Sequence, residues 1–247
     1  MAISTQNRIP KEAFTLRPSN ERGMVDLGWL KSAHSFSFGQ YFDPEHIQFE
    51  SLRVINDDFI QSGKGFPQHP HKNAEIFSYV LKGQLEHKDS MGNGSVVKSG
   101  GIQYMSAGSG VTHSEFNPSQ SEDVRLLQIW LLPNVENESP LYDTLDLTPE
   151  DKDGKLKLFL SRDGREGSMR IKSDADIYAA TLQGNQNIEY NIFDGHKAWI
   201  QVARGSLRVN GQTLTAGDGL AINKGGGIVL SNGQDSEFIL FDLESRH

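Results

Sequence analysis

Ser78–His87 reads SYVLKGQLEH, an apolar run broken by a Lys-Gly step and resumed by a second, alternating run. A glycine between two β-rich runs marks a tight reversal. The same frame returns at Ile200–Val209, IQVARGSLRV, when Gly83 is set over Gly205. Val80, Leu81 and Leu85 then fall on Val202, Ala203 and Leu207, and Lys82 falls on Arg204. A second block aligns without a gap: SGGIQYMSAGSGVTHSE (99–115) over AGDGLAINKGGGIVLSN (216–232). Gly100, Gly108 and Gly110 land on Gly217, Gly225 and Gly227, and the runs that follow, VRLLQIWLL and EFILFDL, agree in kind. The chain reads as two copies of one β unit, and a repeat of this length decides the architecture before any single strand does.

Working outward, short β-rich runs such as SLRVIND, EIFSYVLKG and SVVKSGGIQYM fill residues 50–132, separated by Gly, Asn, Asp and Ser, with DSMGNG as a clear turn. No long stretch carries a helical period, so the fold class is all-β, of sandwich or barrel type. Residues 133–156, PNVENESPLYDTLDLTPEDKDGKL, are acidic and hold three prolines; they read as a linker with a helical turn after Ser139-Pro140. The expected organisation is an N-terminal arm over 1–19, a first domain over 20–133, and a linker with the second domain over 134–247.

Composition closes off several functions. The net charge is −8 with no basic cluster, which argues against direct nucleic-acid binding. No apolar run approaches the ~20 residues of a spanning helix, so no membrane partner is expected. The 247 residues contain no cysteine, so a metal site must use nitrogen and oxygen ligands. The opening MAISTQNRIPKEAFTLRP lacks the apolar core of a signal peptide, and a cytoplasmic location is expected.

The polar residues that stand out precede and follow the repeated runs. His69-Pro70-His71 places two imidazoles at i and i+2, on one face if the segment is extended, and proline favours extension of the residue before it. Thr112-His113-Ser114-Glu115 repeats the spacing. Either pair alone is more often a solvated edge or a turn than a ligand set. The second copy supplies a control: His69, His71 and Glu75 align with Asn191, Phe193 and Lys197, while His113 and Glu115 align with Leu230 and Asn232. The scaffold recurs and the candidate ligands do not, so they belong to a site in the first half. Such a nitrogen and oxygen set suits Fe(II), Mn, Ni, Cu or Zn.

Gly63-x5-His69-x-His71-x3-Glu75 resembles the first cupin motif through the glutamate, with Gly83 one residue late. Gly110-x2-His113-x3-Asn117 resembles the second, with Gly108 where many cupins have proline. More specifically, WLKSAHSFSFGQYFDP, LRVINDD, GFPQHPHKNAEI, DSMGN, MSAGSGVTHSEFN and LQIWLLP resemble the pirin family, in family order over most of residues 20–133. The second half resembles that family's degenerate cupin. The resemblance implies a bicupin, two double-stranded β-helix barrels face to face, with one divalent transition metal in the first. Fe(II) is the expected ion, and Cu, Ni, Mn, Co and Zn are compatible. It implies His69, His71, His113 and Glu115 as ligands. Glu75, a ligand in other cupins, would instead orient an imidazole.

The implied activity is that of the bacterial pirin-like quercetinases, ring opening of a flavonol-like aromatic by O2, with Glu115 also serving as the catalytic base. The alternative is a metal-binding regulator without turnover, with a protein partner. A monomer is expected. His34 is read as packing or surface hydrogen bonding, Trp29, Trp130 and Trp199 as core, and Phe66 as core or pocket wall. His46, His87, His196 and His247 are read as facing solvent.

Overall fold

The computed structural model describes residues 8–246. The chain forms two compact units. One is Gly23–Leu147 with Ile171–Ser173; the other takes the residues through Arg22, Thr148–Arg170 and the chain from Asp174.

Strand β1 (Phe14–Arg17) belongs to the C-terminal unit, where it pairs antiparallel with Gly219–Ile222. The N-terminal unit holds β2 (Gly23–Asp26), β3 (Leu30–His34), β4 (Leu52–Ile60), β5 (Gly65–His71), β6 (Glu75–Lys82) and β7 (Gln84–Asp89). It continues with β8 (Gly94–Lys98), β9 (Gly101–Ser106), β10 (Val111–Phe116), β11 (Val124–Leu131) and β12 (Leu141–Asp146). A seven-stranded sheet runs β12-β9-β6-β11-β4-β3-β2, and a four-stranded sheet runs β5-β10-β7-β8. The C-terminal unit is a single nine-stranded sheet built around the long strands His196–Val209 and Gly226–Glu244.

The unit boundaries differ from those expected at 19/20 and 133/134. Residues 14–17 are no loose arm: they complete the edge of the C-terminal sheet, whereas residues 1–7 of the expected arm lie outside the described residues. Leu141–Asp146, read as linker, pairs with β9 from Leu141↔Ser106 to Asp146↔Gly101. The helical turn is Pro149–Lys152 rather than after Ser139-Pro140. It starts there because Thr148 and Asp151 form a capping box and Pro149 takes the first helical position, where a missing N–H goes unneeded.

The repeat glycines do the same work in both units. Gly83 and Gly205 have φ of +77° and +62°, and a Cβ on Gly205 would lie 2.1 Å from the Gln234 carbonyl oxygen. Only glycine fits such a left-handed, crowded position.

The interiors differ. In the C-terminal unit one uninterrupted apolar cluster includes Leu207, Leu230 and Phe238. In the N-terminal unit two of the apolar clusters among the described residues lie apart: Leu30, Ile60, Val80, Leu85 and Leu126 among others in one, and Ala74, Ile76, Met105 and Val111 in the other, with Trp130 packed against it. Alternation along the strands puts Ser78 between Ile76 and Val80, and Gln128 between Leu126 and Trp130. A polar layer thus crosses the interior between two apolar ones, and Glu115 lies in it.

Candidate metal centre

Strands β5 and β10 run antiparallel, with His113 directly opposite His69 and Val111 opposite His71. Along β10, Val111, His113 and Glu115 are buried while Thr112, Ser114 and Phe116 are partly exposed, so the strand's period of two turns the first three inward. His69, His71 and His113 converge: ring centroids are 4.8 Å apart for His69–His71, 4.5 Å for His69–His113 and 4.9 Å for His71–His113. One nitrogen of each lies within 4.8 Å of the others.

Their protonation favours cation binding. Burial, then the neighbouring imidazoles, pushes His71 down to about 4 and His113 down to about 3, so both are neutral near pH 7. His69 Nδ1 lies 2.8 Å from the Pro67 carbonyl, a bond that only an Nδ1–H can donate. That leaves the His69 Nε2 lone pair free. His113 Nε2 is buried with no hydrogen-bond partner among the described residues. A buried nitrogen left so is costly, and a divalent cation among the three imidazoles would satisfy it. The donor set fits the ion.

Glu115 lies beside this trio, not within it: its carboxylate groups with His113 and His87. Oε1 accepts from Ser78 Oγ at 3.2 Å and Gln103 Nε2 at 2.7 Å, and Oε2 accepts from Gln128 Nε2 at 2.7 Å. The polar layer exists to hold this carboxylate.

Glu75 points elsewhere. On β6 it shares a face with Phe77 and Tyr79, opposite to Ile76 and Ser78. It accepts from Ser106 Oγ at 2.6 Å, from the Lys172 N–H at 2.9 Å and from the Tyr104 hydroxyl, which burial and the charge of Glu75 hold protonated. It orients no imidazole, because strand alternation turns it away from the trio.

His87 is where the reading by sequence failed most. It is fully buried, not solvent-facing. Its Nδ1 lies 3.3 Å from His113 Nδ1 and 3.2 Å from Gln103 Nε2, its Nε2 lies 3.1 Å from Asp89 Oδ2, and its ring stacks on Tyr142 at 4.4 Å. The signal was present: Leu85, His87 and Asp89 alternate on one face, with Leu85 in the core. Asp89 also accepts from the Met91 and Asn93 N–H groups and from Asn93 Nδ2. Burial alone would raise its pKa, yet these donors together hold it below the ordinary carboxylate value.

Of the remaining histidines, His34 is buried and 2.6 Å from Asn56 Oδ1, while His46 and His196 are partly buried against Asp43 and Asp242; His247 lies outside the described residues. Phe66 packs on Trp29 in the core and turns an edge to His69, filling both roles considered for it. Trp130 is not simply core. Its ring meets that of His71 edge-on at 4.8 Å, and its buried Nε1 has no partner. An open cavity of about 480 Å³ adjoins His71, lined also by Pro70, Lys72, Ser90, Gly110, Val111 and Thr112.

Residues 15–131 match the family model described as Pirin, and residues 158–243 match the one described as Quercetinase C-terminal cupin domain. The chain is 44% identical over 228 residues to a quercetin 2,3-dioxygenase of Escherichia coli, covering 92% of this chain and 97% of that one. It is 35% identical over 227 residues to a pirin-like protein of Caulobacter vibrioides, covering 92% and 97%. The crystal structure of a bacterial pirin from Escherichia coli in complex with nickel(II) superposes with a TM-score of 0.90 at 42% identity, covering 94% of this chain and 100% of that one.

Proposed function

Because the chain belongs to the pirin family, with a bicupin fold, we propose that it is a metal-dependent dioxygenase that opens the ring of a flavonol with O2 in the manner of quercetin 2,3-dioxygenases. The observation that carries the proposal is the buried Nε2 of His113, without a partner among the described residues, grouped with the imidazoles of His69 and His71, the last of which lines an open cavity. His69, His71 and His113 hold the ion, Fe(II) in our reading, with Glu115 as a fourth ligand when its carboxylate turns from the amides. Bound there, the metal supplies Lewis acidity toward a flavonol hydroxyl and toward O2.

The protein's own groups do the rest. The cavity beside His71 admits a flat aromatic. Glu115, held by three donors, receives the flavonol hydroxyl proton. Phe66 and Trp130 flank the imidazoles and keep water from the reacting face.

The test is loss of flavonol absorbance in air by protein loaded with Fe(II), Ni(II) or Mn(II). Turnover that requires both metal and O2 supports the proposal. A fully loaded protein that leaves quercetin intact sinks the flavonol activity and leaves a metal-binding regulator as the reading.

A further inference from the structure

The trio's most buried member, His113, has its second nitrogen turned away from the cavity, toward a chain of groups that ends at an exposed turn. His113 Nδ1 faces His87 Nδ1 at 3.3 Å; His87 Nε2 faces Asp89 Oδ2 at 3.1 Å. Two imidazole nitrogens can share a hydrogen only if one donates and the other accepts. Asp89 decides which. Its carboxylate only accepts, so His87 carries its proton on Nε2 and presents a bare Nδ1 inward. Gln103 agrees with this assignment. Its amide must turn Nε2, not its oxygen, to the Glu115 carboxylate at 2.7 Å, and the same amino group lies 3.2 Å from His87 Nδ1. His87 Nδ1 therefore meets donors only. His113 must then carry its proton on Nδ1.

We propose that Asp89 and His87 are positioning residues that fix the proton of His113 on Nδ1, and so keep its Nε2 lone pair open to the metal. The inference rests on the reading of His69, His71 and His113 as a metal centre. Stacking of His87 on Tyr142 holds the ring in the plane that the relay requires, and the turn at Asp89 is fixed by its bonds to Met91 and Asn93. The metal centre is thus wired to the surface turn Asp89–Asn93 through one buried histidine.

Asp89→Asn tests this with one atom exchanged. The turn N–H groups of Met91 and Asn93 keep the amide oxygen, so the new amino group faces His87. His87 must then accept at Nε2 and carry its proton on Nδ1, which opposes the His113 Nδ1–H. The His113 proton is driven to Nε2, where it blocks the metal. His87→Phe cuts the relay: its ring can keep the stack on Tyr142 but carries no hydrogen-bonding group, so neither Asp nor Asn at position 89 reaches His113 through it.

Nickel(II) affinity is measured by competition with a chromophoric chelator for the wild type, both single variants and the double variant, with urea midpoints of the metal-free proteins alongside. Long-range ¹⁵N–¹H correlation of the metal-free protein reads the His113 tautomer. We expect Asp89→Asn to weaken nickel about 10- to 100-fold, the usual effect of losing a partner behind a metal-bound histidine. We expect the His113 proton to move from Nδ1 to Nε2, and the Asp89→Asn penalty to fall below about 3-fold in the His87→Phe background. Equal affinity and an unmoved tautomer in Asp89→Asn overturn the proposal, as does a penalty of the same size in both backgrounds, which would mark Asp89 as a turn residue only. Two nickel ions per wild-type chain, with one lost in His87→Phe, would instead make His87 a ligand. A wild type that binds no nickel sinks the metal centre itself.

Discussion

Glu115→Ala removes the acceptor around which the polar layer of the N-terminal unit is built. In the wild type the carboxylate takes Gln103 Nε2 and Gln128 Nε2 at 2.7 Å each, and Ser78 Oγ at 3.2 Å. Ser78 keeps a second partner, Gln128 Oε1 at 3.0 Å, so its hydroxyl is not stranded. The amides each have one N–H left without its acceptor, although Gln103 Nε2 keeps His87 Nδ1 at 3.2 Å for its other hydrogen. Each buried, unsatisfied donor costs about 1–3 kcal/mol, so the metal-free variant should lose about 2–6 kcal/mol. Domain stabilities are about 5–15 kcal/mol in total, so this loss is large. Urea unfolding of metal-free protein, followed by near-ultraviolet circular dichroism, should show the midpoint fall by about 1–3 M for a slope near 2 kcal/mol/M. Replacing Glu115, Gln103 and Gln128 together by leucine should recover most of the loss, because removing both sides of a buried hydrogen bond is nearly neutral. A midpoint for Glu115→Ala within about 0.3 M of the wild type would refute the reasoning and mean that water already fills the layer.

Other expectations follow from the same interior. Asp58 is buried and raised to about 7, chiefly by desolvation and against a hydrogen bond from Ser32, with the charges of Asp57 and Glu115 adding to the rise. An acid whose folded pKa lies above its unfolded one stabilises the fold most below pH about 4, and that contribution is lost as pH rises through 7. Asp58→Asn should flatten the decline in metal-free stability between pH 5 and pH 8 by a few kcal/mol, measured by urea midpoints across pH; an unchanged slope would reject it. Gly205→Ala, with φ +62° and its Cβ 2.1 Å from Gln234 O, should destabilise the C-terminal unit by more than about 1 kcal/mol. Nickel titration of that variant should still give the wild-type affinity.

The fold was legible because repetition amplifies weak signals. One β-rich run around Gly83 is ambiguous, but the same run around Gly205 with the same left-handed glycine is not. The three imidazoles were legible because HxH and HxE obey a period of two on strands that face one another. Glu75 was misread for the converse reason. Its place in a linear motif says nothing about which side of β6 it takes, and that parity turns it toward Tyr104. His87 was missed because a charged run, Glu86-His87-Lys88-Asp89, looks solvated when counted by composition, although alternate residues of it lie in the interior. The strand Leu141–Asp146 was hidden in the same way, since an edge strand with acidic outward residues carries the composition of a linker.

The central claim is that His69, His71 and His113 hold a metal, and metal content tests it most directly. Protein purified without added chelator is measured by elemental analysis beside His69→Ala and His113→Leu, the second of which installs the residue of the aligned C-terminal copy, Leu230. The account predicts close to one divalent ion per chain in the wild type and a small residue of that in both variants, with each variant folded. Equal metal content in all three proteins would contradict it.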